Sequence, residues 1–310
     1  MKILVTGGAG FIGSNVVDEF VRQGWDTVVV DDLSSGNRRN LNPNARLYQL
    51  DIRDDKLAEV FEQEKPDIVS HHAAQISVRR SVEDPFRDAM INVLGSLNVI
   101  ANCAKYGVRK LLYASSGGAV YGEPVYLPCD EKHPVDPLCP YGLTKHTPEH
   151  YLFMYRQLYG LDYTVLRYPN VYGPRQDPFG EAGVVAIFTE QMLRGDQVVI
   201  NGTGEQERDF VYVADIVRSN ILSINAGSGG IYNIGSGIGT SVNQIFDELR
   251  QITGYARRPV FGPPKAGETF RIYLDATKAA EELGWRPETA LRDGLARTVD
   301  YFRGLGTERR

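Results

Sequence analysis

The 310 residues carry 34 Lys and Arg against 39 Asp and Glu, a net charge of −5 with histidine neutral, so nothing points to nucleic acid and an anionic ligand would need a local basic cluster. Three cysteines (Cys103, Cys129, Cys139) form no C-x-x-C pair and leave an odd count, which argues against a disulfide framework or a zinc site and fits a reducing compartment. No stretch approaches the roughly 20 apolar residues that span a bilayer, and the N-terminus reads as a strand and not as a signal peptide, so a cytoplasmic protein with no membrane partner is expected.

Short apolar runs then alternate with amphipathic segments. Lys2–Thr6, Thr27–Asp31, Arg46–Gln49, Ile68–Ser70, Lys110–Ser115 and Tyr163–Arg167 are predicted strands, bounded by Gly, Asp or Pro. Ile12, Val16, Val17, Phe20 and Val21 fall at helical spacing, with Gly24 as a stop. Lys56–Glu64, Pro85–Tyr106 and Tyr141–Tyr159 are further predicted helices. Strands alternating with helices mean βαβ units, and right-handed crossovers then give an α/β fold with a doubly wound parallel sheet, the Rossmann arrangement. After Arg167 the pattern loosens through Pro169, Gly173, Pro174, Pro178 and Gly180. A helix near Val184–Arg194, a strand at Val198–Ile200 and a helix opened by the capping box Ser241-x-x-Gln244 follow. Beyond the Pro/Gly-rich Pro259–Lys265, a last helix pair surrounds Gly284-Trp285. The division expected is a dinucleotide domain over 1–168 and a smaller α/β substrate domain over 169–310. The two are partly interleaved, because the chain returns to the first for parts of 205–240.

The strand Lys2–Thr6 runs straight into Gly7-Gly-Ala-Gly10-Phe-Ile-Gly13 and then a helix. Glycines are needed there for a tight turn, for close approach of backbone to a pyrophosphate, and for close packing of helix on strand. The helix N-terminus adds unpaired N–H groups and partial positive charge. Such a string is weak alone and strong between a strand and a helix. Asp31 ends the second strand, where a carboxylate accepts hydrogen bonds from the adenosine ribose and repels a 2′-phosphate, favouring NAD over NADP. Arg38 and Arg39 lie well past the strand end and are set aside.

Tyr141 and Lys145 stand four residues apart at the start of a predicted helix, behind Pro140, and share a helix face. A phenol titrating near ~10 is a poor base at neutral pH. A neighbouring ammonium and the positive ring of oxidised NAD favour the phenolate. A core tyrosine beside a surface lysine is the plainer alternative, and the dinucleotide turn upstream weighs against it.

These segments stand with others: Leu4 to Ser14, Val30-Asp-Asp-Leu33, Asp51-Ile52, Ala73-Ala74, Asn92-Val93, Tyr113 to Gly122, Pro140 to Lys145, Arg167 to Gly173, Arg208 to Val213, Tyr232 to Gly235 and Leu283-Gly-Trp285. Together they resemble the extended short-chain dehydrogenase/reductase family, and within it the UDP-glucose (UDP-galactose) 4-epimerases, over nearly the whole chain. The resemblance implies that Tyr141 exchanges a proton with the sugar 4-hydroxyl while hydride moves between C4 and NAD through a 4-keto sugar. Lys145 then tunes the tyrosine and holds the nicotinamide ribose. Family members place a hydroxyl where this chain has Gly117, so Ser116, or else Ser115, must supply it. Besides the glycines, the resemblance implies cofactor contacts from Phe11, Ile12, Asp31, Asp32, Ser35, Gly36, Asp51, Ile52, His72, Ala73, Ala74, Asn92 and Tyr168. It implies sugar-nucleotide contacts from Gln75, Asn170, Val185, Asn201, Arg208, Lys265, Glu268 and Ile272. A guanidinium fork such as Arg208 suits phosphate oxygens. It further implies a homodimer through the helices near 85–106 and 141–159, where Tyr151, Tyr155 and Tyr159 follow a four-residue period.

Several positions depart from the pattern. Lys265 replaces an arginine and Glu268 an aspartate, keeping charge but changing geometry. Asn201 replaces an aromatic residue beside the base, and Ile272 aligns with the position that gates N-acetylated sugars. His71 and His72 end a strand without a carboxylate or cysteine at ligand spacing, so no metal is expected. Pro148 predicts a kink or break just after Lys145, because it removes the bond to the Thr144 carbonyl. The alternatives are epimerisation of UDP-GlcNAc or UDP-glucuronate, a 4,6-dehydratase or decarboxylase, and a dinucleotide-binding regulator without chemistry. Gly117-Gly-Ala119 lacks the acidic pair that dehydratases use, and intact Tyr141 and Lys145 weigh against the regulator.

Overall fold

The apolar runs become central strands because helices cover both of their faces. The computed structural model describes residues 1–179, 183–264 and 269–308. In chain order the strands are β1 (Lys2–Thr6), β2 (Asp26–Asp31), β3 (Arg46–Gln49), β4 (Ile68–His71), β5 (Lys110–Ser116), β6 (Asp162–Tyr168) and β7 (Asn170–Tyr172). They continue as β8 (Val199–Asn201), β9 (Glu207–Arg208), β10 (Phe210–Tyr212), β11 (Gly230–Asn233), β12 (Thr240–Ser241), β13 (Val260–Gly262) and β14 (Arg271–Ile272). The helices are α1 (Phe11–Arg22), α2 (Leu57–Glu64), α3 (Val78–Glu83), α4 (Pro85–Ala89), α5 (Ser96–Lys105) and α6 (Gly117–Val120). After them come α7 (Pro140–Tyr159), α8 (Val184–Arg194), α9 (Val213–Ser223), α10 (Val242–Thr253), α11 (Thr277–Glu282) and α12 (Leu291–Glu308).

Seven strands form one sheet in the order β3-β2-β1-β4-β5-β6-β11, and every neighbouring pair is parallel. Side chains alternate between two cores. Leu4, Val28, Val30, Val69 and Leu111 pack against Leu57, Phe61, Ile100 and Leu152 of α2, α5 and α7. Ile3, Val5, Val29, Ile68 and Leu112 pack on the opposite face against Val16, Phe20 and Val217 of α1 and α9. Each such side chain contributes roughly 1.5–3 kcal/mol through burial. The chain thus builds the doubly wound Rossmann sheet expected from the strand–helix alternation. Strand order reverses between β1 and β4, which opens a crevice at their carboxyl ends.

Two elements of this layer escape local reading. β11 joins β6 at the edge of the sheet, and α9 covers the α1 side. The predicted helix Pro85–Tyr106 divides into α4, a wide π-helical turn over Met90–Gly95, and α5.

Of the kink or break predicted after Lys145, the break does not occur. α7 runs unbroken for 20 residues with Pro148 inside it. The carbonyl that Pro148 leaves without its helical partner is that of Thr144, and packing on the sheet beneath, where the Tyr113 hydroxyl donates to the next carbonyl, that of Lys145, at 3.1 Å, keeps the chain helical. Burial of Lys145, Glu149 and Leu152 on that face holds the helix down.

The second half builds smaller sheets: β7 with β10, β8 with β13, and β12-β9-β14. Their core gathers Tyr172, Val185, Phe188, Ile245, Phe246, Leu249, Leu295 and Val299. The capping box at Ser241 and Gln244 opens α10 as predicted.

Candidate active site

One cleft of about 2350 Å³ lies between the carboxyl ends of the large sheet and the smaller sheets. Its floor begins at the glycine turn. Gly7 takes φ +70°, and a Cβ there would stand 2.6 Å from the Ala73 nitrogen. A Cβ on Gly13 would collide with the Gly7 carbonyl, whereas one on Gly10 would meet only that carbonyl, at 3.3 Å. Packing therefore demands glycine at 7 and 13, and Gly10 keeps the approach to α1 open. No side chain caps α1, so the first-turn N–H groups of Phe11, Ile12 and Gly13, which line the cleft, remain for an anion.

Asp31 is buried at the end of β2. Its carboxylate accepts the Ala9 N–H at 2.9 Å and the Leu33 N–H at 2.8 Å. Burial raises its pKa, opposed by those two backbone bonds. Asp32, Ser35 and Gly36 continue this wall, and Ile52, Ala73, Ala74 and Tyr168 also line the cleft. Asp51 lines it too, with its carboxylate held low by a 2.6 Å pair to Arg53. These features fit a dinucleotide: an uncapped helix start for the pyrophosphate, and a carboxylate at the strand end for the ribose. Asn92 does not reach the wall. It is buried and exchanges hydrogen bonds with the Gln75 backbone at 2.8 and 3.0 Å and with Thr144 and Asp88 at 3.1 Å, so it braces the wall from behind.

Tyr141 and Lys145 enter from the first turns of α7, behind Pro140. Burial pushes the Tyr141 phenol up to about 12, opposed by a hydrogen bond with Ser116. Burial lowers the Lys145 ammonium to about 8, opposed by the charges of Glu149 and Asp88. Its Nζ sits 4.6 Å from the centroid of the Tyr113 ring. The two serines are separated by their partners. Ser115 donates its hydroxyl to Glu149 Oε1 at 2.6 Å, whereas Ser116 pairs with Tyr141.

Glu149 and Arg167 form a buried two-point pair at 2.6 and 3.1 Å that was not anticipated. Burial works against the Glu149 charge, but its hydrogen bonds to His146, Arg167 and Ser115 outweigh that and hold the carboxyl down at about 2. Arg167 also donates to the Tyr121 hydroxyl at 2.9 Å. The available signal was an arginine inside an otherwise apolar strand, with a glutamate one helical turn beyond Lys145.

His72 lines the cleft, with Nε2 2.8 Å from Ser70 Oγ and its ring nearly parallel to that of Tyr168 at 6.4 Å. Burial lowers it to about 3, so it is neutral. His71 lies deeper, between Thr6 and Ser96. Among the described residues, no group of three or more His, Cys, Asp or Glu side chains is arranged to hold a metal ion.

On the opposite side, Asn170, Asn201 and Arg208 line the cleft. Gln75 does as well, but its amide is engaged by Ser77 and, at 2.7 Å, by Asp88. Arg208 donates to the carbonyls of Glu207 at 2.9 Å and Phe270 at 3.3 Å. The neighbouring Asp209 carboxylate serves Ser236, Gly237 and Leu274. Two predicted contacts stand off the wall. Val185 is in the core beneath α8, where Val184 and Ile187 face the cleft instead. Ile272 is buried against Tyr121 and Leu274. Helical phase decides the first and the packing of β14 the second. Lys265 and Glu268 lie outside the described residues.

The chain matches the NAD dependent epimerase/dehydratase family over residues 3–235. It is 45% identical to a UDP-glucose 4-epimerase of Mycolicibacterium smegmatis, across 98% of this chain and 99% of that one. Among solved structures, a UDP-glucose 4-epimerase of Thermotoga maritima with UDP-glucose is 52% identical with a TM-score of 0.97, covering 98% of this chain and 99% of that one. A UDP-glucose 4-epimerase of Thermus thermophilus in complex with NAD is 43% identical with a TM-score of 0.93, over the same shares. With a dinucleotide turn and a Ser-Tyr-Lys group facing one cleft, the chain belongs to the NAD-dependent epimerase/dehydratase family.

Proposed function

We propose that the chain catalyses reversible, NAD-dependent epimerisation at C4 of a UDP-hexose, UDP-glucose and UDP-galactose first. The observation that carries this reading is the meeting of Gly10, Asp31, Ser116, Tyr141 and Lys145 in one cleft. The turn Gly7–Gly13 and the start of α1 hold the pyrophosphate of NAD, Asp31 its adenosine ribose, and Lys145 its nicotinamide ribose. When bound, NAD supplies a hydride acceptor at C4 and then a donor to the opposite face. Tyr141 takes the proton of the 4-hydroxyl as the 4-keto sugar forms, and returns it as the new hydroxyl appears. Ser116 donates a hydrogen bond to the 4-oxygen, and Lys145 places its positive charge beside the phenol. Asn170 and Arg208 receive the diphosphate. Gly117-Gly118-Ala119 offers no acid to expel the 6-hydroxyl, which opposes dehydration.

Incubation with UDP-glucose should yield UDP-galactose of unchanged mass. Loss of water from the product, no turnover, or loss of CO₂ in a parallel incubation with UDP-glucuronate rejects the reading. Parallel incubations with UDP-GlcNAc, UDP-glucuronate and the dTDP sugars define the pocket.

The assembly proposed is a homodimer through α4, α5 and α7. Phe86, Met90 and Leu94 are exposed at four-residue spacing beside exposed Leu143, Met154 and Leu158, an apolar strip that a second copy would cover. Light scattering should give twice the 34.5 kDa chain mass; a monomer at micromolar concentration rejects it. The reading also places the chain in the cytoplasm, where its free cysteines stay reduced. Among the described residues, no helix is long and apolar enough to cross a membrane.

A further inference from the structure

His72 follows β4 directly and lines the cleft, yet its Nδ1 is buried and has no hydrogen-bond partner among the described residues. The other histidines inside the fold use both ring nitrogens: His71 meets Thr6 and Ser96, and His133 meets the Val125 N–H and the Pro134 carbonyl. A buried polar atom left without a partner costs stability and is rare in a folded protein. On a cleft wall, it asks for a partner that the chain itself does not supply.

The groups behind the ring decide which nitrogen carries the proton. Asn220 donates its amide N–H groups to the Ile216 carbonyl at 2.9 Å and to the Tyr168 hydroxyl at 2.8 Å. Its oxygen therefore faces Ser70, whose hydroxyl donates to it at 3.3 Å. A serine has one proton to give, so Ser70 Oγ accepts from His72 Nε2–H, 2.8 Å away. The ring is the Nε2–H tautomer, with a bare lone pair on Nδ1. Burial keeps it neutral, so the missing partner is a hydrogen-bond donor.

Strand order says which part of a dinucleotide comes to this position. With the pyrophosphate on the turn after β1 and the adenosine ribose at Asp31 on β2, the other half must cross β4 toward Ser116 at the end of β5. His72 lies on that path. Its backbone packs on the glycine turn, where a Cβ on Gly7 would stand 2.9 Å from the His72 carbonyl carbon, and its ring lies nearly parallel to that of Tyr168. With the nicotinamide ribose assigned to Lys145, the donor left on this half is the carboxamide. We propose that His72 Nδ1 accepts a hydrogen bond from the carboxamide N–H of the nicotinamide and so sets the rotation of that ring about its ribose bond. The inference rests on the placement of NAD proposed above.

The test compares NAD with its acetylpyridine analogue, in which a methyl ketone replaces the carboxamide and the N–H donor is gone. Calorimetric titration of the full chain, freed of nucleotide and without sugar, reads affinity alone. His72→Leu should bind NAD roughly tenfold more weakly than the wild-type chain, one neutral hydrogen bond's worth, and bind the analogue unchanged. His72→Asn, whose side-chain oxygen stands near the Nδ1 position, should recover most of the NAD affinity. In the wild-type chain, nitrogen NMR should show the His72 Nδ1 resonance moving on addition of NAD and not of the analogue, a measurement that needs no variant. Equal loss for NAD and analogue would assign the contact to a ribose hydroxyl or to packing and overturn the proposal. Unchanged NAD affinity in His72→Leu, or an Nδ1 resonance that NAD does not move, overturns it too and leaves a buried water as the partner. Those results leave the epimerase reading standing, whereas a wild-type chain that binds no NAD would strike both.

Discussion

The two sides of the cleft are built from different materials. The side proposed for the dinucleotide is mostly backbone: a glycine turn, the uncapped start of α1, and strand ends of a sheet buried on both faces. The side proposed for the sugar nucleotide is mostly side chains, Asn170, Asn201 and Arg208, carried on short strands of two- and three-stranded sheets. A backbone site is fixed by the same hydrogen bonds and packing that make the fold. A side-chain site can be retuned residue by residue without disturbing it. Tyr141 and Lys145, on α7, and Ser116, at the end of β5, line the same cleft.

That contrast can be broken most directly at its centre. Tyr141→Phe keeps the ring packing and removes the proton carrier, so turnover should fall by roughly 10²–10⁴ while bound NAD, read by absorbance, stays unchanged. Loss of NAD together with turnover would mean that the tyrosine belongs to the cofactor side. Glu149→Ala should strike the scaffold instead. It leaves Arg167 buried without its partner, costing about 3–5 kcal/mol in denaturant unfolding.

The pH dependence follows from the same pair. Glu149 is held at about 2, below its ordinary 4.5. Its contribution to stability is therefore complete above 4.5 and is lost as pH falls toward 2. Glu149→Gln should flatten acid unfolding in that window; an unchanged acid profile would locate the sensitivity elsewhere.

Smaller effects sharpen the comparison. Arg208→Ala removes charge-assisted bonds worth about 1.5–3 kcal/mol, so KM for the UDP-sugar should rise by about one to two decades with NAD affinity untouched. A parallel loss of NAD affinity would show that the two sides are coupled. Least of all, Ser116→Ala should lower turnover about tenfold, one hydrogen bond's worth. Ser115→Ala should instead cost ~1 kcal/mol of stability through its bond to Glu149. Interchanged results would exchange the roles of the two serines.

How much of this was legible varied with the range of the interaction. Gly7, Gly13, the strand end at Asp31, and the Tyr141–Lys145 spacing each follow from a few consecutive residues, and the structure puts all of them on the cleft. Val185 and Ile272 were expected on its wall and lie in the core, because helical phase and strand packing turned them inward. Asn92 was expected at the cofactor and instead braces Gln75 and Thr144. Pro148 was read from the rule for an isolated helix; here the buried face of Lys145, Pro148, Glu149 and Leu152 keeps the helix continuous.

The amino-acid sequence by itself determined the parallel sheet, the phosphate turn and the paired tyrosine and lysine. Each depends on hydrophobic period, backbone conformation or i, i+4 spacing, which are properties of neighbours along the chain. Only the tertiary structure decided that β11 closes the sheet, that Ser116 and not Ser115 is paired with Tyr141, and that Glu149 meets Arg167. The tertiary structure likewise set His146 Nδ1 3.1 Å from Glu149 Oε2. Those outcomes depend on which distant surfaces exclude water together, and no local pattern encodes that.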